Sequence, residues 1–356
     1  MKRKNLVAKN KVKKNNLIID SKVTKIYSKF EKIVFKNIKN KSFALAVSGG
    51  ADSLCLAYLG KLYSLKFKNK IHVLIVDHKL RKSSSQEANK VSKMLKQKNI
   101  QSKILAWQGK VPKKNIQNDA RNIRYSLMSS YCQKKNVGYL ITAHHLDDQV
   151  ENFFIRLFRG SGLTGLSSMA ESFNYSNVLK IIRPFLIFKK IDLQNITLKY
   201  FKNFIKDPSN DNDKYLRVRV RKIRNSMEKE GLDTSKVINT VNNLFSAHKA
   251  LSYYKDKAIN KHVAFLSKNK CQISKKIFAD EAGEIIFKSF SSIFLSISGK
   301  YYPPRSKKII NLIIRLQKNV FNKSTLGGCV IEKKDSLIFI SKESKKKRKV
   351  AFQPNK

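Results

Sequence analysis

The chain has 356 residues, a length that suits two or three domains, and 42% of them are hydrophobic, which supplies ordinary cores and excludes a disordered polyelectrolyte. Lys and Arg number 75 against 24 Asp and Glu, a net charge of +51 that makes a polyanion the first candidate partner. No uncharged apolar stretch reaches the ~18 residues needed to cross a membrane, and the four cysteines (Cys55, Cys132, Cys271 and Cys329) fall outside zinc, redox or disulfide spacings, so a cytosolic protein is expected.

In chain order, residues 1–40 read as a basic N-terminal extension, beginning with the tail MKRKNLVAKNKVKKNN. From residue 43 short apolar runs alternate with amphipathic segments. FALAVS (43–48), IHVLIVD (71–77), SKILAW (102–107) and GYLITAHH (138–145) read as buried strands, and the segments between them have helical spacing. That alternation predicts an α/β fold, a parallel sheet with helices on both faces, over residues 41–216. Ligands on such sheets sit at the carboxyl ends of strands, where SGGADS and HHLDDQ fall. Residues 217–268 read as a charged helical region. Residues 269–345 read as a small α/β domain containing the strand KCQISKKIF, two helices and the hairpin GGCVIEKKDSLIFIS with its turn near Lys334 and Asp335. A basic tail, 346–356, ends the chain.

Charge distribution carries more information than its total, because much of the Lys excess accompanies an Asn- and Ile-rich composition. Nine of the 14 arginines lie between residues 121 and 224, and Arg makes forked phosphate contacts that Lys cannot. Two stretches in and before this region carry the chemistry. Ser48, Gly49, Gly50, Ala51, Asp52 and Ser53 follow a strand and open a helix, the arrangement of a phosphate cradle: glycines for close backbone approach, a helix N-terminus and hydroxyl donors. The lysine of a Walker A loop is absent, so the loop suits pyrophosphate, with Asp52 a candidate Mg²⁺ partner. The second stretch is His144, His145, Leu146, Asp147, Asp148, Gln149, Val150 and Glu151. Asp148 and Glu151 stand at i and i+3, which on a helix points two carboxylates the same way, fit for an ammonium group. Gly160 to Gly165 matches G-x-G-x-x-G, but a helical segment precedes it, which rejects a dinucleotide fold.

The motif S-G-G-x-D-S resembles that of the PP-loop ATP pyrophosphatases. The ordered set that follows is similar to the tRNA(Ile)-lysidine synthetases over about residues 43–345: Ala120-Arg121 with Arg124-Tyr125, His144 to Glu151, Arg159-Gly160-Ser161-Gly162, Gly165 to Met169, Arg183-Pro184, and Asp207-Pro208-Ser209-Asn210 leading to Arg217, Arg219 and Arg221. Asn152 and Val218 depart from that family's usual Thr and Asn.

The resemblance implies an ATP-dependent ligase. ATP adenylates O2 of the wobble cytosine of tRNA(Ile) with anticodon CAU, and the ε-amine of free lysine then displaces AMP at C2. It assigns residues 48–53 to ATP, Asp52 to Mg²⁺, and Asp148 and Glu151 to the lysine ammonium. His144 or His145 would serve proton movement, Arg121, Arg124 and Arg159 charge at the α-phosphate, and Arg217, Arg219 and Arg221 the tRNA. Tyr253, Tyr254 and the segment KYYPPRSKK read equally as tRNA grip or as core. The runner-up is a tRNA thiolase of the same superfamily, disfavoured because no cysteine pair is present. A tRNA-binding protein without catalysis is the alternative of a different class. The sequence leaves oligomeric state open, a homodimer included.

Overall fold

The computed structural model describes residues 21–79, 83–109, 116–167, 169–206, 213–214, 216–300, 302–318 and 321–343. The expected tails, the segment 207–210, Ser168 and Tyr301 lie outside them. Two compact units divide the chain, Met1–Asn242 and Asn243–Lys356.

The first unit begins with a helix that charge conceals in the sequence. α1 (Ser21–Ile38) lies within the basic stretch, yet Val23, Phe30, Val34 and Ile38 recur at helical spacing and are fully buried. Each of the larger side chains contributes about 1.5–3 kcal/mol by leaving water. The sheet follows: β1 (Phe43–Ala46), α2 (Ala51–Phe67), β2 (Ile71–Asp77), α3 (Ser84–Lys96), β3 (Ser102–Ala106), α4 (Ile116–Lys134) and β4 (Tyr139–Ile141). After β4 come α5 (Leu146–Leu157), α6 (Leu163–Leu166), β5 (Ser172–Asn174), β6 (Lys180–Ile182) and α7 (Lys190–Phe201).

Strand order is β3-β2-β1-β4-β6-β5, parallel throughout except for the antiparallel β5 at the edge. Alternation along each strand feeds two cores. Phe43, Leu45, Val73, Ile75, Ile141 and Ile182 face one core, shared with α1, α2, α3 and α7. Ala44, Leu74, Leu140 and Ile181 face the other, beneath Tyr125, Met128 and Cys132 of α4. The doubly covered parallel sheet expected from the alternating runs is what forms.

Helices close the first unit. α8 (Leu216–Lys229) packs on α5, and the start of α9 (Thr234–His262) joins them through Val150, Phe154, Val220, Val237 and Val241. In the second unit, α9 runs directly into β7 (Val263–Ser267), followed by β8 (Lys270–Ser274), α10 (Ile277–Asp280), α11 (Gly283–Ser298), α12 (Ser306–Gln317), β9 (Lys323–Leu326), β10 (Cys329–Lys334) and β11 (Leu337–Lys342). Its sheet is antiparallel, ordered β7-β8-β11-β10-β9, and closes over Phe290, Phe294, Ile309 and Leu316. The β10–β11 hairpin turns at Asp335, which takes a left-handed φ of 49°. Tyr253, Tyr254 and Tyr302 are exposed rather than core.

Candidate active site

β1 is flanked by β2 on one side and β4 on the other, so the chain reverses its direction of travel across the sheet between β1 and β4. The loops leaving these two strands therefore open a crevice at their carboxyl ends, where α/β sheets bind ligands. Into it point the N-termini of α2 and α5, both positive ends of helix dipoles.

The loop after β1 is held from within. The Ser53 hydroxyl accepts from the amides of Ser48 and Gly49, each at 3.1 Å, and donates to the Gly50 carbonyl at 2.9 Å. A hydroxyl has one proton, so Ser53, expected from sequence to donate to phosphate, here shapes the loop instead. Ser48 remains exposed, its hydroxyl 3.4 Å from that of Ser53. Gly49 has φ +90°, and a Cβ there would sit 2.4 Å from Val91 of α3; its carbonyl accepts from Ile205. Gly50 caps α2, and Thr197 of α7 donates to the Ala51 carbonyl. Asp52 turns inward with its Oδ1 buried and without a hydrogen-bond partner among the described residues, a fit for a cation carried in on phosphate.

His145 links the two loops. It is the N-cap of α5: its Nδ1 accepts from the Asp148 amide, and the Asp148 carboxylate accepts from the His145 amide at 3.1 Å. With Nδ1 accepting, Nε2 carries the proton, and it lies 3.5 Å from both Asp52 Oδ2 and Asp148 Oδ2. Burial works against charge on His145, but Asp52, Asp148 and Asp147 outweigh it and raise its pKa. Burial likewise opposes the Asp148 carboxylate, while His145 and Arg217 hold it below the usual range. His144 behaves oppositely. Its Nδ1 meets Thr142 Oγ1 at 2.9 Å, and burial, assisted by Arg183, Arg121 and Arg217 against Asp148, pushes its pKa down to about 3. The ring that joins the two carboxylates is thus His145, whereas His144 stays neutral beside the arginines.

Asp148 and Glu151 do share a face, and they meet on arginines. Arg217 Nη2 is 3.4 Å from Asp148 and its Nε 2.9 Å from Glu151; Arg221 forks onto Glu151 at 2.5 and 3.3 Å. Arg224 Nη1 reaches Asp147 at 2.9 Å, and Asp147 also accepts from the Lys190 amide. Arg217, Arg221 and Arg224 fall at i, i+4 and i+7 on α8, one stripe facing α5, while Arg219 turns outward to the carbonyls of Asp213 and Lys214. Two of the three arginines expected to hold tRNA are therefore bonded to the carboxylates expected to hold the amine.

α4 brings Arg121 and Arg124 over the strand ends. Arg121 lies over the Tyr125 ring at 4.9 Å, and Arg124 Nε is 3.4 Å from His78 Nε2. Arg159 is not brought to this group: it is exposed beyond the far end of α5, about 18 Å of helix from His145. Two more residues enter: Asp77, which no motif marked, and Arg183 of the Arg183-Pro184 pair, which had no role assigned. Asp77, at the end of β2, accepts from the Ser84 and Ser85 hydroxyls at 2.7 and 2.6 Å. Arg183, at the end of β6, is buried on the Phe173 ring with its Nε unpaired among the described residues. Their signal was position, the carboxyl ends of strands.

The PP-loop domain family matches residues 20–227. The tRNA(Ile)-lysidine synthase of Orientia tsutsugamushi (strain Boryong) is 34% identical over 312 residues, covering 86% of this chain and 70% of that protein; that of Wolbachia pipientis wMel is 35% identical over 321 residues, covering 88% and 74%. The chain belongs to the tRNA(Ile)-lysidine synthase family. It is an enzyme of that family, built on its ATP-utilising PP-loop domain. A U34-tRNA thiolase from Methanococcus maripaludis shares the fold, with a TM-score of 0.54 at 18% identity over 63% of this chain and 79% of that one. Among the described residues no helix is long and apolar enough to cross a membrane.

Proposed function

We propose that this lysidine synthase family member joins free lysine to C2 of the wobble cytidine, position 34, of tRNA(Ile) with anticodon CAU, converting a methionine codon specificity into an isoleucine one. The observation that carries this reading is the convergence on His145: Asp52 of the phosphate loop and Asp148 of the amine-binding face each lie 3.5 Å from one imidazole nitrogen. An activated base held on one side would then meet an ammonium held on the other.

In the proposed reaction, cytosine O2 attacks the α-phosphorus of ATP and pyrophosphate leaves. The lysine ε-amine attacks C2, the C2–O bond breaks, AMP departs, and the amine loses a proton. Gly50 and Ala51 amides at the start of α2, with the Ser48 hydroxyl, would hold phosphates. Asp52, through its unpaired Oδ1, would hold Mg²⁺, which would supply positive charge against the phosphates. Arg121, Arg124 and Arg183 would stabilise charge at the α-phosphate. His145, its Nε2–H facing both Asp52 and Asp148, would orient the two carboxylates on either side of the reaction. The basic surface of the chain and its exposed Tyr253, Tyr254 and Tyr302 suit an RNA backbone and unstacked bases.

A thiolase reading needs a sulfur-bearing thiol at the crevice, and all four cysteines are buried. The test is pyrophosphate release from ATP with a tRNA(Ile) transcript bearing CAU. Release that requires the transcript and disappears in Asp52→Ala supports the reading. Release independent of RNA, or none from folded protein, rejects it.

A further inference from the structure

We propose that Arg217 occupies the cation site formed by Asp148 and Glu151 until the substrate amine displaces it, so that amine binding and phosphate binding are coupled through one guanidinium. This rests on the lysidine synthase reading and adds to it an exchange at the amine site.

Occupancy of the carboxylates requires a displacement. Asp148 and Glu151 already face two guanidiniums, Arg217 and Arg221, and Glu151 is buried. An arriving ammonium would have to compete with them for the same carboxylate oxygens, because the third carboxylate nearby, Asp52, faces His145. One guanidinium must therefore leave as the ammonium enters.

Geometry selects which one. Arg221 grips Glu151 through two nitrogens, with 29% of its side chain exposed. Arg217 spans both carboxylates, touching Asp148 only at 3.4 Å, and 42% of its side chain is exposed. Its Nε, although 2.9 Å from Glu151, is misaligned and makes no hydrogen bond among the described residues. Arg217 is also the second residue of α8, where the side chain can swing without unwinding the helix interior. The displaced guanidinium needs a new anion, and phosphate is the chemistry that a planar fork matches. That phosphate can come from ATP or from the RNA backbone. Either would draw Arg217 off the carboxylates and open the amine site. Lysine would then bind weakly to the protein alone and more tightly once a phosphate partner is in place.

The test is equilibrium binding of labelled lysine to the full chain, alone, with a non-hydrolysable ATP analogue, and with tRNA transcript. Wild type and Arg217→Lys should bind lysine weakly alone and more tightly with one phosphate partner; the arm that tightens binding names the source. Arg217→Gln should bind lysine tightly without either, by about 5- to 150-fold over wild type, the usual range of site coupling. It should also lose the phosphate-dependent gain. Equal or weaker lysine binding by folded Arg217→Gln overturns the exchange. Equal wild-type affinity in all three arms overturns it as well, whether or not the variant folds. If wild type transfers lysine to tRNA but shows either result, only the exchange falls. If no arm binds lysine and no transfer occurs, the lysidine reading falls with it.

Discussion

Removing the Ser53 hydroxyl tests whether the phosphate loop is shaped from within. Ser53→Ala deletes three hydrogen bonds of 2.9–3.1 Å, and the buried Gly49 amide loses its acceptor. At about 0.5–1.5 kcal/mol net per bond, with about 1–3 for a bared buried donor, the loss comes to about 2–4 kcal/mol. For a unit of this size, about 2–4 °C per kcal/mol gives a fall in Tm of about 4–16 °C. Ser48→Ala is the matched control, because that exposed hydroxyl makes a single 3.4 Å contact. It should move Tm by no more than about 2 °C while weakening ATP about fivefold, the worth of one donor. Thermal unfolding followed by circular dichroism, with ATP binding by calorimetry, reads both. An unchanged Tm in Ser53→Ala, or equal losses in the two variants, would refute the assignment of Ser53 to the loop and Ser48 to the ligand.

Gly49→Ala meets both a φ of +90° and a Cβ 2.4 Å from Val91, so it should cost about 2–5 kcal/mol, whereas Gly50→Ala, with nothing nearer than 3.9 Å, should cost under about 1; urea denaturation distinguishes them. His144 has a folded pKa of about 3, below its unfolded value of about 6.5, so the unfolded chain binds the extra proton between those pH values. Stability should therefore fall on acidification from 6.5 towards 3, by up to about 1.4 kcal/mol per pH unit from this group, and His144→Gln should show a shallower acid slope; equal slopes would contradict the neutral, half-buried ring. Arg224 and Asp147 tie α8 to α5, so a double-mutant cycle to alanine should return a coupling of about 0.5–3 kcal/mol, and a value near zero would show that the valine cluster alone holds the helices.

The sheet was legible because its central strands, β1, β2 and β4, are largely buried apolar runs. FALAVS, IHVLIVD, SKILAW and GYLITAHH each contain one observed strand, and the loop at residues 48–53 and the helix after His145 lie where strand ends place them. What the sequence hid has physical causes. α1 is hidden by lysines on its exposed face. β6 has three residues, too few for a period. β7 continues α9 without a break, and β9 is a polar edge strand, Lys323-Ser324-Thr325-Leu326, with no apolar alternation. At the site, the paired carboxylates were visible from their i, i+3 spacing. The partition of Arg217, Arg219 and Arg221 was not, because alternate residues look equivalent in a row of letters, whereas a helix of 3.6 residues per turn sends 217 and 221 to one face and 219 to another. The choice between His144 and His145 also needed the structure, since only the capping geometry of α5 shows which ring joins Asp52 to Asp148.

The central claim is the joining of an amine to a tRNA base, and transfer of labelled lysine tests it most directly. The full chain would be incubated with ATP, Mg²⁺ and tRNA(Ile) transcript bearing CAU, beside a transcript with uridine at position 34 and an elongator tRNA(Met). The account predicts acid-stable label on the first RNA alone, lost in Asp148→Asn and Glu151→Gln. Label on none of the three from folded, ATP-binding protein, or equal label on all, would contradict it.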